Sequence, residues 1–219
     1  MPQELLNLQK QWPILNIPLL LKTLSKIPVN NICPEKENVF KAFNLCNLND
    51  CNIVFLGQDP YPQKGVATGI LFGNSNYTPE EEISQSLKIL KSAILSCESG
   101  IFDNSLEDWA KQGILMINSA LTVETNKIGS HTLIWRPFIS DFLSNLSSSK
   151  KHIIYVLFGQ QAQSFIPYIN KDFNYIFKEK HPAFYARTNE SMSNKIFIDI
   201  NNCLREQNKN IIEWCKTSN

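Results

Sequence analysis

Ile53-Val-Phe-Leu-Gly-Gln-Asp-Pro-Tyr-Pro62 decides how this chain is read. It opens on an apolar run that includes β-branched Ile53 and Val54, the pattern of a buried strand. Gly57 and Pro60 end the run and turn the chain outward. Gln58, Asp59 and Tyr61 therefore fall at the carboxyl end of a strand, where open α/β sheets place their ligands. Asp59 precedes a proline, which biases its backbone toward an extended conformation and keeps it out of a helix. An isolated Asp-Pro is ordinarily an Asx turn. So many polar and aromatic residues packed behind one strand mark a candidate site instead.

Working outward, four strand candidates alternate with helical stretches: Asn52–Leu56, Ile114–Asn118, His152–Phe158 and Tyr175–Lys178. Thr78-Pro79-Glu80-Glu81 offers an N-cap, a proline at the first helical position and a capping-box glutamate. The spacing predicts a helix over Glu80–Cys97, with Ile83, Leu87, Leu90 and Ile94 on one face. Trp135–Leu146 and Met192–Leu204 carry similar stripes, read as core. Strands alternating with helices make this an α/β protein with a parallel sheet covered on both faces.

The 219 residues suit a single domain spanning 1–219, with residues 1–31 as an N-terminal helical segment packed on it. The apolar run from Pro13 to Leu21 is too short to span a bilayer and contains two prolines. Net charge is +1, so any basic face must be local. Lys178, Lys180, Arg187 and Lys195 around His181 could supply one. Six cysteines (33, 46, 51, 97, 203 and 215) show no CxxC and no paired ligand spacing, which argues against a zinc or iron–sulfur site. With no secretory signal in view, free thiols in a reducing, cytoplasmic compartment are the simple expectation. Neither GxGxxG nor GxxxxGK[ST] occurs, so dinucleotide and P-loop binding lack their usual signals.

The segment closely resembles the GQDPY-H signature of the uracil-DNA glycosylases, and the similarity extends well past it. Ile32–Phe43 looks like the family's approach to that strand. Ala67-Thr-Gly-Ile-Leu-Phe-Gly73 resembles its phenylalanine loop, and Trp109–Asn118 its asparagine strand. Leu121-Thr-Val123, Ser130-His131 with Trp135, and Val156-Leu-Phe-Gly159 follow in the family's order. His181-Pro182 stands where the family has its HPSPLS loop. The resemblance runs from about Ile32 to Trp214. It implies a three-layer α/β/α sandwich around a central four-stranded parallel sheet. The implied activity is hydrolysis of the bond between uracil and deoxyribose, without metal or cofactor, to start base-excision repair. The competing expectation is a DNA-holding or processivity subunit of a replication complex, with the same fold and little or no catalysis.

Carried onto this sequence, the resemblance makes Asp59 the carboxylate that orients water and offsets positive charge on the sugar. It makes His181 the donor to the uracil 2-oxo group. Gln58, Tyr61, Phe72 and Asn118 become the uracil pocket: Asn118 reads the base edge, Phe72 stacks on it, and Tyr61 rejects the thymine methyl. Ser86, Ser130, His131, Ala183, Phe184, Tyr185 and Arg187 become DNA contacts. Two departures stand out. Pro62 replaces the signature histidine. HPSPLS becomes His181-Pro-Ala-Phe-Tyr-Ala186, so Ala183 replaces a phosphate-steadying serine and Tyr185 the leucine wedge. Tyr185, aided by Phe184, is expected to fill the gap left by a flipped base, with Arg187 restoring phosphate grip. The expected partners are uracil-containing DNA, single- or double-stranded, and a DNA-mimicking phage inhibitor protein with its grip altered by Tyr185. A monomer with no membrane association is expected.

Overall fold

The computed structural model describes residues 3–28 and 30–217. The ends of the expected 1–219 domain, and residues 1, 2 and 29 of the expected N-terminal segment, lie outside the described residues. In chain order the elements are α1 (Gln3–Gln11), α2 (Ile17–Leu24), β1 (Ile32–Cys33), α3 (Lys41–Leu45), β2 (Ile53–Gly57), α4 (Gln85–Leu95) and α5 (Glu107–Lys111). They continue with β3 (Ile114–Asn118), β4 (Val123–Glu124), α6 (Thr132–Ser149), β5 (Ile154–Phe158), α7 (Gly159–Gln163), β6 (Tyr175–Glu179), α8 (Pro182–Thr188) and α9 (Lys195–Glu206).

Four strands form a parallel sheet in the order β3-β2-β5-β6, with Phe55 opposite both Met116 and Val156. Side chains alternate across a strand, and the sheet uses both faces. Val54, Leu56, Leu115, Ile117, Tyr155 and Leu157 join one core with α1, α2, α3 and α6. Ile53, Phe55, Ile114, Met116, Ile154, Val156 and Phe158 join a second core with α4 and α9. That double burial is why β2 and β5 are uniformly apolar, without the polar alternation of a half-exposed strand. The result is the three-layer α/β/α sandwich the sequence implied. At the N-terminus, Leu5, Leu8, Trp12, Ile17 and Leu20 are buried in the first core. The Trp12 ring meets Phe43 and Phe142 edge-on, and its Nε1 donates to the Phe43 carbonyl.

Several boundaries differ from expectation. Residues 80–82 form only a 3-10 turn, and Ile83 is extended (φ −57°, ψ 138°). The helix begins at Gln85, capped by Ser84, whose hydroxyl accepts from the Leu87 N–H. The Thr78-Pro79-Glu80-Glu81 signature therefore describes a turn that delivers the chain to the true cap. His152 sits in the left-handed region (φ 62°), so β5 starts only at Ile154. The helix expected from Met192 starts at Lys195. Gly57 belongs to β2 instead of ending it. A two-stranded antiparallel pair, β1 with β4, is an addition to the expected elements, because two residues carry no periodic signal.

Candidate active site

All the catalytic and uracil-binding candidates line one cavity of about 980 Å³ at the carboxyl ends of β2, β3 and β5. Its floor follows from the sheet register, which sets Gly57 opposite Asn118. A Cβ at residue 57 would lie 2.9 Å from Asn118 Oδ1 and 2.2 Å from Leu71, so only glycine admits the asparagine here. Asn118 Oδ1 is buried and has no hydrogen-bond partner among the described residues. A buried orphan acceptor is costly and suits a ligand that brings its own N–H.

The chain after β2 is tied down by backbone bonds. The Ala120 N–H and the Ser119 hydroxyl both donate to the Gln58 carbonyl, at 3.0 and 2.8 Å. Asp59 Oδ2 accepts from the Gly129 N–H at 2.7 Å. Burial pushes its carboxyl above the ordinary carboxylate range, and the bonds from Gly129 and Gln58 pull partly back. The protein thus holds the carboxyl in place through the Gly129 N–H on Oδ2, with the Gln58 side chain beside it. Pro62 takes the place of the signature histidine without disturbing the turn, and its carbonyl accepts from the Asn126 N–H.

His181 caps α8. Its Nδ1 accepts from the Ala183 N–H at 3.2 Å. An accepting Nδ1 carries no proton, so in the neutral ring the proton is on Nε2, leaving that nitrogen as the donor. Desolvation, followed by the Arg187 charge, lowers the pKa to about 4. Phe72 packs edge-on against both Phe158 (5.2 Å) and His181 (5.3 Å). Gly159, at φ +81°, lets the chain pass beneath: a Cβ there would lie 3.1 Å from His181 Cβ. Phe72 is itself left-handed (φ 65°), a costly conformation for a bulky residue.

Ser86, Ala183, Phe184 and Arg187 also line the cavity; Ser130, His131 and Tyr185 do not. His131 is 4% exposed, with Nδ1 2.9 Å from the Thr122 hydroxyl, which also accepts from Trp135 Nε1. The Ser130 hydroxyl accepts from the Glu124 N–H. These two brace the loop that presents Gly129 to Asp59. Tyr185 packs on the second core, and its hydroxyl donates to Glu179 at 2.7 Å. Consecutive helical residues point about 100° apart, so Tyr185 takes the core side and Phe184 the cavity side. Lys180 stands 4.1 Å from the Phe184 ring centroid and pairs with Glu190 at 3.7 Å.

Sequence reasoning missed the Gly129 N–H, which as a backbone donor has no side-chain signature. It also missed Ile128, 72% exposed at the rim, and Gln160 on the far wall. Among the described residues no group of three or more His, Cys, Asp or Glu is placed to hold a metal ion.

The site thus gathers a half-buried carboxyl, an imidazole whose pKa is lowered and an unpaired amide oxygen around an aromatic wall. The chain belongs to the uracil DNA glycosylase superfamily, whose family model matches residues 43–205. It is 35% identical over 185 residues to the uracil-DNA glycosylase of Aliarcobacter butzleri, covering 84% of this chain and 86% of that protein. It is 32% identical to that of Mycoplasmopsis pulmonis, over 84% of this chain and 82% of that protein. Among solved structures, a variant of mimivirus UNG in complex with UGI superposes with a TM-score of 0.76 at 26% identity, covering 84% and 76% of the two chains.

Proposed function

We infer that this protein is a uracil-DNA glycosylase: it flips uracil out of DNA and hydrolyses the N-glycosidic bond, leaving an abasic site for base-excision repair. The observation that carries this reading is one cavity holding Asp59 and His181 in complementary states, with Asn118 at the end of strand β3 beside them. Breaking the C1′–N1 bond leaves positive charge on the sugar and negative charge on the base. Asp59 faces the first and His181 Nε2–H the second, so both groups gain most in the transition state. Asp59 orients a water, whose oxygen bonds to C1′ as the C1′–N1 bond breaks and its proton passes to the carboxylate. No metal or cofactor takes part in this scheme.

Asn118 selects the base. Its orphan Oδ1 accepts from uracil N3–H while its amide donates to O4. Cytosine offers the opposite pattern and leaves buried polar groups unpaired, a mismatch that discriminates strongly. Gln58 shapes the pocket through its fixed carbonyl, Phe72 stacks on the base, and Tyr61 covers C5. Extruding a nucleotide costs a few kcal/mol. Ala183, Phe184 and Arg187 on the cavity lining, with Ser86 buried deeper in it, are the residues we assign to offset that cost against DNA. Ser130, His131 and Tyr185 act one layer behind them. We place the protein in a reducing compartment as a monomer, consistent with six free cysteines of which five are buried.

The structural neighbour bound to UGI supports an inhibitor of that kind as a partner. Phe184 at the mouth, with Tyr185 in place of the family leucine behind it, should weaken it, and undiminished stoichiometric inhibition would count against that. The central test is release of free uracil from a single-stranded oligonucleotide carrying one deoxyuridine, with cytosine and thymine controls and the Asp59→Asn protein. Release that collapses in the variant supports the reading. DNA binding without release by the parent protein defeats it.

A further inference from the structure

Tyr61 lines the cavity, yet its hydroxyl is engaged on the far side, where two loops and a helix meet. It donates to the Phe72 carbonyl at 3.2 Å and accepts from the Ser84 hydroxyl at 2.6 Å. Ser84 is itself held twice: its backbone N–H donates to the buried Asn74 side chain at 3.2 Å, and its Oγ accepts from the Leu87 N–H at 3.4 Å. Asn74 in turn is 1% exposed, and its N–H donates to the Asn104 carbonyl. A continuous run of hydrogen bonds thus joins the start of α4 to Tyr61 and to the left-handed backbone of Phe72. Burial keeps the Tyr61 phenol protonated, with its pKa pushed up to about 12, so it remains a donor across the working range.

A ring excludes a methyl group only as firmly as it resists being pushed aside. Tyrosine has two side-chain torsions, and packing on the cavity side cannot brace it against a ligand arriving from that side. The brace must come from the hydroxyl end. We propose that Ser84 is the positioning residue that sets discrimination at C5 of the base, by anchoring the Tyr61 hydroxyl so that the ring cannot yield to a methyl-sized substituent. The proposal deepens the glycosylase reading and rests on it. Ser84 touches neither base nor sugar; it acts through Tyr61 and, by the same bond run, through the Phe72 carbonyl.

Kcat/KM is measured on single-stranded oligonucleotides carrying uracil or 5-bromouracil, whose substituent is about the size of a methyl group. Ser84→Gly removes the hydroxyl yet keeps an acceptable helix cap, and Ser84→Thr keeps the hydroxyl. The uracil preference should narrow about tenfold in Ser84→Gly, the low end of what one methyl-sized misfit commands in a rigid pocket. Ser84→Thr should restore it. Tyr61→Phe, which loses the Ser84 bond together with the bond to the Phe72 carbonyl, should narrow the preference at least as much, and adding Ser84→Gly to it should narrow it no further, because the Ser84 bond is already gone. Simple loss of the cap would lower the melting temperature and slow both substrates together. An unchanged preference in Ser84→Gly overturns the proposal, as does additive narrowing in the double variant. A parent protein that releases no uracil defeats the glycosylase reading itself, and that outcome is separate from either.

Discussion

Asp59 carries a charge that its surroundings oppose. Its carboxyl is raised by burial, so the ionised form destabilises the fold at every pH above the folded pKa. Asp59→Asn keeps an oxygen for the Gly129 N–H and removes the charge. Uracil release should fall by about 10²–10⁴-fold, while the melting temperature at pH 7 rises. That gain should shrink as the pH drops through the folded pKa, where the parent carboxyl is neutral too; thermal melts across pH check it. His181 has the opposite sign. Its pKa falls from 6.5 to about 4, so between those values the unfolded chain binds a proton that the folded chain refuses. The stability present above pH 6.5 is therefore lost on acidification, by at most about 3 kcal/mol. Denaturant unfolding at pH 7 and pH 5 should show this slope in the parent protein and a flatter one in His181→Gln. The identities of Asp59, His181, Phe72 and Asn118 were legible in the sequence because each sits in a dense local motif. The tautomer of His181 and the raised carboxyl were not, since both depend on burial and on backbone N–H groups that have no letter of their own.

At the scale of elements, α8 shows how a helix only seven residues long sorts its side chains. Tyr185 stands at the motif's leucine position and is the wedge the sequence leads one to expect. The helix turns it toward the second core and onto Glu179, and leaves Phe184 facing the cavity. Phe184→Ala should therefore lower activity on double-stranded DNA about 5- to 100-fold more than on single-stranded DNA, a loss matching one aromatic stack of about 1–3 kcal/mol. Tyr185→Phe, which only frees Glu179, should affect both substrates alike. Paired rate measurements on the two DNA forms decide between the residues. Strands such as β2 and β5 were legible because a short, β-branched apolar run closed by glycine suits a strand buried on both faces. The start of α4 was not, because Thr78-Pro79-Glu80-Glu81 has the composition of a cap while the extended backbone of Ile83 moves the real one to Ser84.

Across the whole molecule, the second core is closed at its far end by residues distant in sequence from the cavity. Trp214 stacks on Phe55 at the sheet centre and accepts at its carbonyl from Trp109 Nε1. Ile101 and Lys216 bridge the C-terminal segment to the loop after α4. Trp214→Ala should cost about 3–5 kcal/mol, seen as a lower denaturation midpoint. Activity per folded molecule should change little, because Trp214 lies outside the cavity lining. Alternating elements foretold a parallel sheet covered on both faces and the family resemblance its three layers, whereas this closure was not foreseeable: a tryptophan well past the last long apolar stripe has no periodic partner.

The rim of the cavity carries a further consequence, for counterions. Two cations stand on the cavity wall: Lys180, loosely paired with Glu190 across 3.7 Å, and Arg187, with no ion pair among the described residues. A protein that meets phosphates with only one or two cations displaces few condensed ions when it binds. Its logarithmic rate on DNA should then fall against logarithmic salt with a slope of only about −1 to −2, one unit per phosphate neutralised by a cation. Such an enzyme would keep working in ionic conditions that strip more basic proteins from the duplex.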